Sequence, residues 1–410
     1  MMKIISFRKI RSHVFFTLLS IYLALVPFSC KKNEAQADGG QSELTTMNLD
    51  VPGTHNWYYL TKDGYTETEH PSQTPRAISK MWTDALRLSS AAQKNGTAFF
   101  VVNTKGLLLV DETGTMSLKT DLKLFPEKTA GNLVMAGNNP IFHLYENTVL
   151  ELEADPESIN TQRLSDIPFL AMYNTDNGTF FPGPDRNSFQ FPESAEVTQV
   201  YFDGSELYLS VKNSTEKKND FTYYKMKMPV QLSDFILSAR NRATSSFNLE
   251  EIDEDTFEAM LTPQPFENAP ERLRKLLSVI PGNFPFSVTL SGAAVENETP
   301  RTWINNDSPE ALIETGIPTQ TANAVLEKDY VMALFPDGTG YFAGSMPGKH
   351  ILNGGKPFCF ILPQLPSGFK YGVFAISGTF MTAAWEENEF YQTGRAGFIL
   401  IDLGKVLYDK

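Results

Sequence analysis

The residues of this chain that could do chemistry are few and scattered. Its histidines are His13, His55, His70, His143 and His350, and no pair has the His-x-x-x-His spacing that turns two imidazoles onto one helix face for a metal. Cysteine occurs at Cys30 and Cys359 alone, so there is no Cys-x-x-Cys pair, and neither a G-x-S-x-G nucleophile elbow nor a Walker A loop is present. Acid–base capacity is concentrated in Glu250-Glu251-Ile252-Asp253-Glu254-Asp255 and in Glu386-Glu387, which follow Trp385. Paired carboxylates cleave glycosides only at a set separation across a cleft, which sequence spacing does not define. The first run reads as a solvated acidic face, and the second as a pair in an aromatic setting. Asp176, Asn177, Asp203 and Asp337 adjoin turn glycines without the D-x-[DN]-x-[DN]-G order of a calcium loop. Their side-chain oxygens suit the backbone of their own turns. No metal ligand is assigned, and the sequence names no cofactor.

Binding equipment is better represented. Tyr173, Phe180 and Phe181 surround the Asp176-Asn177-Gly178 turn, Trp303 lies in the polar segment 301–307, and Trp385, Phe390 and Tyr391 border an acidic loop. Exposed aromatic faces stack on sugars or cofactors at low conformational cost. His350, beside Gly348, Asn353 and Gly354, is the histidine placed to serve a loop site. The candidate ligand-binding residues are therefore Asn177, Trp303, His350 and Trp385. Cys359, in the apolar run 357–362, reads as strand packing.

Cys30 has a different setting. A basic start with Lys3, Arg8, Lys9 and Arg11 precedes the apolar run FFTLLSIYLALVPF, then Ser29 and Cys30. That run is shorter than the roughly 20 apolar residues of a spanning helix. The segment resembles a bacterial lipoprotein leader, although Pro27 and Phe28 stand where an aliphatic and a small residue are usual. The alternative is an ordinary signal peptide with a structural cysteine nearby. The resemblance implies a signal peptide over 1–29, lipidation at Cys30 with the lipid as anchor, and a place in the bacterial cell envelope at the outer membrane. The polar run KKNEAQADGGQS then serves as a tether, taken as residues 30–50. Loss of the leader moves the net charge from −13 to −17, a balance that disfavours nucleic acid as a partner.

The elements that must position these residues are strands. The hairpin signals at 105–106, 112–114, 137–139, 176–178, 336–338 and 377–378 separate short apolar or alternating runs. Thirty Phe and fifteen Tyr favour sheet over helix. Comparable turns recur irregularly, and groups of strands repeat in the order expected of propeller blades. Residues 78–92 have no deciding period. The helix PERLRKLLSVI at 270–280 has an apolar stripe at Leu273, Leu276, Leu277 and Ile280, and it belongs to a partly helical insertion around 245–282. The expected fold over 51–410 is all-β: a β-propeller of about seven blades closed by the Trp57 and Phe398 segments, or alternatively two β-sandwich domains.

Leader, length and sheet grammar together resemble the surface β-propeller lipoproteins of Bacteroidetes. That resemblance implies a noncatalytic envelope receptor that captures a small molecule or glycan, with an outer-membrane transporter as partner. A glycan-processing hydrolase or lyase and a structural or adhesive lipoprotein are the alternatives.

Overall fold

In the computed structural model, the described residues are 44–408 except 62, 76–85, 104, 122–127, 147–169, 184–194, 203–205, 216–217, 228–248, 281–285, 291–301, 306–319, 347–349, 352–355 and 389–393. The leader, Cys30 and most of the tether lie outside them, as do Asp203, Phe390 and Tyr391. Among the described residues no helix is long and apolar enough to cross a membrane.

The chain enters through β1 (Thr46–Asn48), β2 (His55–Thr61) and β3 (Gly64–Thr68). A first four-stranded meander follows: β4 (Leu88–Lys94), β5 (Thr97–Val102), β6 (Gly106–Val110) and β7 (Met116–Thr120). The second is β8 (Lys128–Ala136), β9 (Asn139–Glu146), β10 (Leu170–Asn174) and β11 (Thr179–Pro182), and the third β12 (Ala195–Phe202), β13 (Glu206–Thr215), β14 (Lys218–Lys227) and β15 (Glu250–Ile252). The segment 212–220, a polar loop by composition, is largely the body of a long hairpin in which Lys212 pairs with Phe221 and Thr215 with Lys218.

Next come helix α1 (Glu254–Leu261), β16 (Gln264–Pro265) and helix α2 (Glu271–Leu277). The acidic run supplies β15, then Asp253 as the N-cap, its Oδ1 accepting the Thr256 N–H at 2.6 Å, then two carboxylates in the first turn of α1. β17 (Phe286–Leu290), β18 (Thr302–Ile304), β19 (Gln320–Leu326), β20 (Tyr330–Leu334), β21 (Thr339–Met346), β22 (His350–Ile351) and β23 (Phe358–Ile361) join β1 and β16 in the largest sheet. The fifth sheet runs β24 (Phe369–Ser377), β25 (Phe380–Glu387), β26 (Ala396–Asp402), β2, β3, and the chain continues into helix α3 (Leu403–Tyr408). The Trp57 and Phe398 segments meet as expected, with Tyr58 opposite Phe398 and Trp57 opposite Ile399.

The fold is all-β with few helices, and both faces of most sheets are buried. In β5, Phe99 and Val101 point into a core shared with the second meander, while Ala98, Phe100 and Val102 point into a core shared with the fifth sheet. The second meander packs in turn on the third through Ile141, Met172, Leu207 and Leu209. The fifth sheet's other face, with Phe374 and Trp385, meets Met332, Phe342 and Phe360 of the largest sheet. That sheet's far side is covered by Leu273, Leu276 and Leu277 of α2, so the expected insertion contributes core. Among the described residues, the five sheets therefore pack on one another in series.

Adjacent sheets also touch through their leading strands, β24 beside β4 and β4 beside β8. An outermost strand leaves backbone donors unpaired, and a buried unpaired donor is costly. Side chains of the neighbouring strand fill this role: Ser90 Oγ on β4 accepts the Leu133 N–H of β8 at 3.0 Å, and Gln93 Oε1 accepts the Ile376 N–H of β24 at 2.6 Å.

Candidate functional site

Hairpin turns from three sheets converge on a pocket of about 140 Å³. The β4–β5 turn contributes Gln93, Lys94, Asn95 and Gly96; the β19–β20 turn Glu327, Lys328, Asp329 and Tyr330; β21 Ser345; and the β24–β25 hairpin Ile376 and Gly378. The first turn is tight because Asn95 and Gly96 both have positive φ, 49° and 76°, the geometry of a two-residue hairpin loop matched to strand twist. Gly378 is required sterically as well: a Cβ there would lie 2.7 Å from the Glu112 carbonyl oxygen. Asn95 Nδ2 donates to Asn138 Oδ1 at 2.9 Å, tying this rim to the β8–β9 turn.

Glu327 and Tyr330 face each other across their turn, where the Glu327 N–H donates to the Tyr330 carbonyl at 2.8 Å. The amide of buried Gln93 joins three sheets, its Nε2 donating to Tyr330 Oη while its Oε1 accepts from Ile376. Arg272 of α2 donates through Nη1 to the Glu327 carbonyl oxygen. The Glu327 carboxylate is less well served, since its Oε1 is buried without a hydrogen-bond partner. Burial pushes this carboxyl above its ordinary range, against the opposing pull of the Gln93 amide and the charges of Lys94 and Arg272. Burial, and then the Glu327 charge, push the Tyr330 phenol upward too. The pocket offers one under-satisfied carboxylate, a second carboxylate at Asp329, two lysines and a hydroxyl, fixed on three hairpins.

None of the four residues chosen from sequence lines it. Asn177 is exposed at the β10–β11 turn, where its Oδ1 accepts from the Thr179 N–H at 3.1 Å and from Thr179 Oγ1 at 2.6 Å. Trp303 and Trp385 are not surface aromatics, being 5% and 1% exposed in separate cores, because each sits mid-strand between packed layers. His350 opens β22 opposite Met346. The four are not brought together. Glu386 and Glu387 are neutralised by neighbours: Glu386 by Arg87 at 3.3 Å and Lys370 at 3.0 Å, Glu387 by the fork of Arg395 at 2.7 and 2.5 Å. Asp111 and Asp337 accept from Thr113 and Thr339 two residues on, as turn chemistry requires. Cys359 is buried strand packing. Among the described residues no group of three His, Cys, Asp or Glu is placed to hold a metal ion.

Residues 48–405 match the model of a protein family described as a family of unknown function, DUF8086. No curated protein matches the chain. Solved structures with detectable similarity include a structure from a study of two prolyl endopeptidases, at 11% identity over 75% of this chain and TM-score 0.24. A post-proline cleaving enzyme from Rickettsia typhi matches at 9% identity over 82% with TM-score 0.21, and a Pyrococcus horikoshii acylaminoacyl peptidase at 8% over 75% with TM-score 0.22. The chain spans 40%, 42% and 58% of those chains, respectively.

Proposed function

From the premise that the chain belongs to DUF8086, a family of unknown function, we propose a noncatalytic, lipid-anchored envelope protein that captures a small molecule or glycan in the pocket between the β4–β5, β19–β20 and β24–β25 turns. The observation that carries this reading is Glu327, a carboxylate held under-satisfied in a preformed pocket by residues from three sheets. Buried polar groups are normally satisfied, and one that is not is a candidate contact for a ligand. Serial stacking of the sheets through their leading strands, with the pairing of β2 and β26, supports a propeller architecture as the frame. Cys30 is the proposed lipidation site, the outer membrane the proposed location, and an outer-membrane transporter the proposed partner.

The test is label-free binding of the purified full chain to glycans, haem-like cofactors and siderophores, with product analysis on the same samples. Saturable binding without chemical change, weakened by Ser345→Phe in the pocket, is the expected result. A chemically altered ligand would replace this reading by a second one, a glycan hydrolase or lyase. That reading is favoured by the upward shift of Glu327, which suits a general acid. Mass spectrometry of the mature N-terminus, with Cys30→Ser losing the acyl chain, tests the anchor.

A further inference from the structure

Resting on the pocket as the ligand site, we propose that it selects a single-ring ligand carrying a protonated primary amino group, an amino sugar, with Glu327 Oε1 as the acceptor. Its volume of about 140 Å³ is the first constraint. The pocket lies below the roughly 300–1,000 Å³ of ordinary small-molecule pockets and is open to solvent on one side, so it engages a single ring, part of which stays outside.

The bonding inventory supplies the second constraint. The Gln93 amide is committed, its Nε2 side to Tyr330 and the Glu327 carboxylate and its Oε1 to Ile376. Arg272 gives a guanidinium N–H to the Glu327 backbone carbonyl. Glu327 Oε1 remains buried and without a partner, so the unmet need in the pocket is for a donor. A hydroxyl would supply a donor alone. A hydroxyl bond to a carboxylate is already charge-assisted, but an ammonium adds an opposite charge to the donor, and that attraction is stronger in a partly desolvated pocket than in water. Asp329 adds a second negative group, while Lys94, Lys328 and Ser345 are donors suited to ring oxygens. The net charge of −13 favours the approach of a cation over that of an anion.

Glucosamine, glucose and N-acetylglucosamine share a ring and differ at the amine, so calorimetric titration of the full chain with each isolates the proposed contact. Glucosamine is expected to bind at least tenfold more tightly than the other two. Glu327→Gln, which keeps shape and removes charge, is expected to bring the three within about twofold, while Glu327→Asp keeps the order at lower affinity; circular dichroism confirms that each variant is folded. Equal affinities for the three sugars, or a glucosamine preference that survives in Glu327→Gln, would overturn the amine assignment. Equal affinities that Ser345→Phe abolishes would do so while leaving the pocket reading intact. Failure of all three sugars to bind would also overturn the assignment, and the wider ligand panel would then judge the pocket reading separately.

Discussion

Gln93 shows how much a single buried amide can hold together. It is 5% exposed and bonds to two other sheets, so Gln93→Leu leaves the Ile376 N–H and the Tyr330 hydroxyl without those partners. A buried group stripped of its partner costs about 1–3 kcal/mol, and urea unfolding should show a loss of at least that size with the m-value unchanged. Glu327 acts in the opposite sense. Its folded carboxyl is raised above the unfolded value of about 4.3. The stability it contributes is therefore complete below about pH 4, where both states are protonated, and is lost as pH rises through the raised folded value. Thermal melts should place Glu327→Gln above the parent at pH 7 and level with it below about pH 4. A variant that gains stability while losing ligand preference is the pattern expected of a binding group.

The hairpins show which elements sequence makes legible. β5, β6 and β7 fall where the turn signals at 105–106 and 112–114 place them, whereas Asn95-Gly96, with the positive φ of a two-residue loop, is not among those signals. β4 was hidden because its LSSAAQK mixes small and polar residues whose burial depends on sheets far away in sequence. The pocket was hidden for the same reason. Gln93, Glu327 and Ile376 are ordinary hairpin residues locally, and only the juxtaposition of three turns gives them a role. Trp303 and Trp385 misled because an aromatic residue near polar neighbours has the same local sequence whether its strand is covered or bare. Gly397 carries an element-scale prediction. In β26 it is pressed between the Tyr58 carbonyl and the Trp385 ring, where a Cβ would collide with both. Gly397→Ala should therefore cost about 1–3 kcal/mol in chemical denaturation, by prising β2 from β26.

At the scale of the whole molecule, the pairing of β2 with β26 joins strands far apart in the chain. Asn56 and Leu400 are register partners there, so the double variant Asn56→Cys, Leu400→Cys should crosslink under oxidation. In the chain-entropy model, closing so long a loop gives a stabilisation on the order of 6 kcal/mol. Oxidised protein should melt well above its reduced form, and equal melting points would show that this seam stays closed until the rest of the fold has gone. The same seam also fixes an order of events in biosynthesis. Residues 55–68 lie far ahead of residues 396–402 in the chain, so β2 can pair at once with β3 but waits for β26 until the intervening sheets have been supplied. Its open edge must be shielded for that interval, and the sheet is completed only after the last strand has emerged.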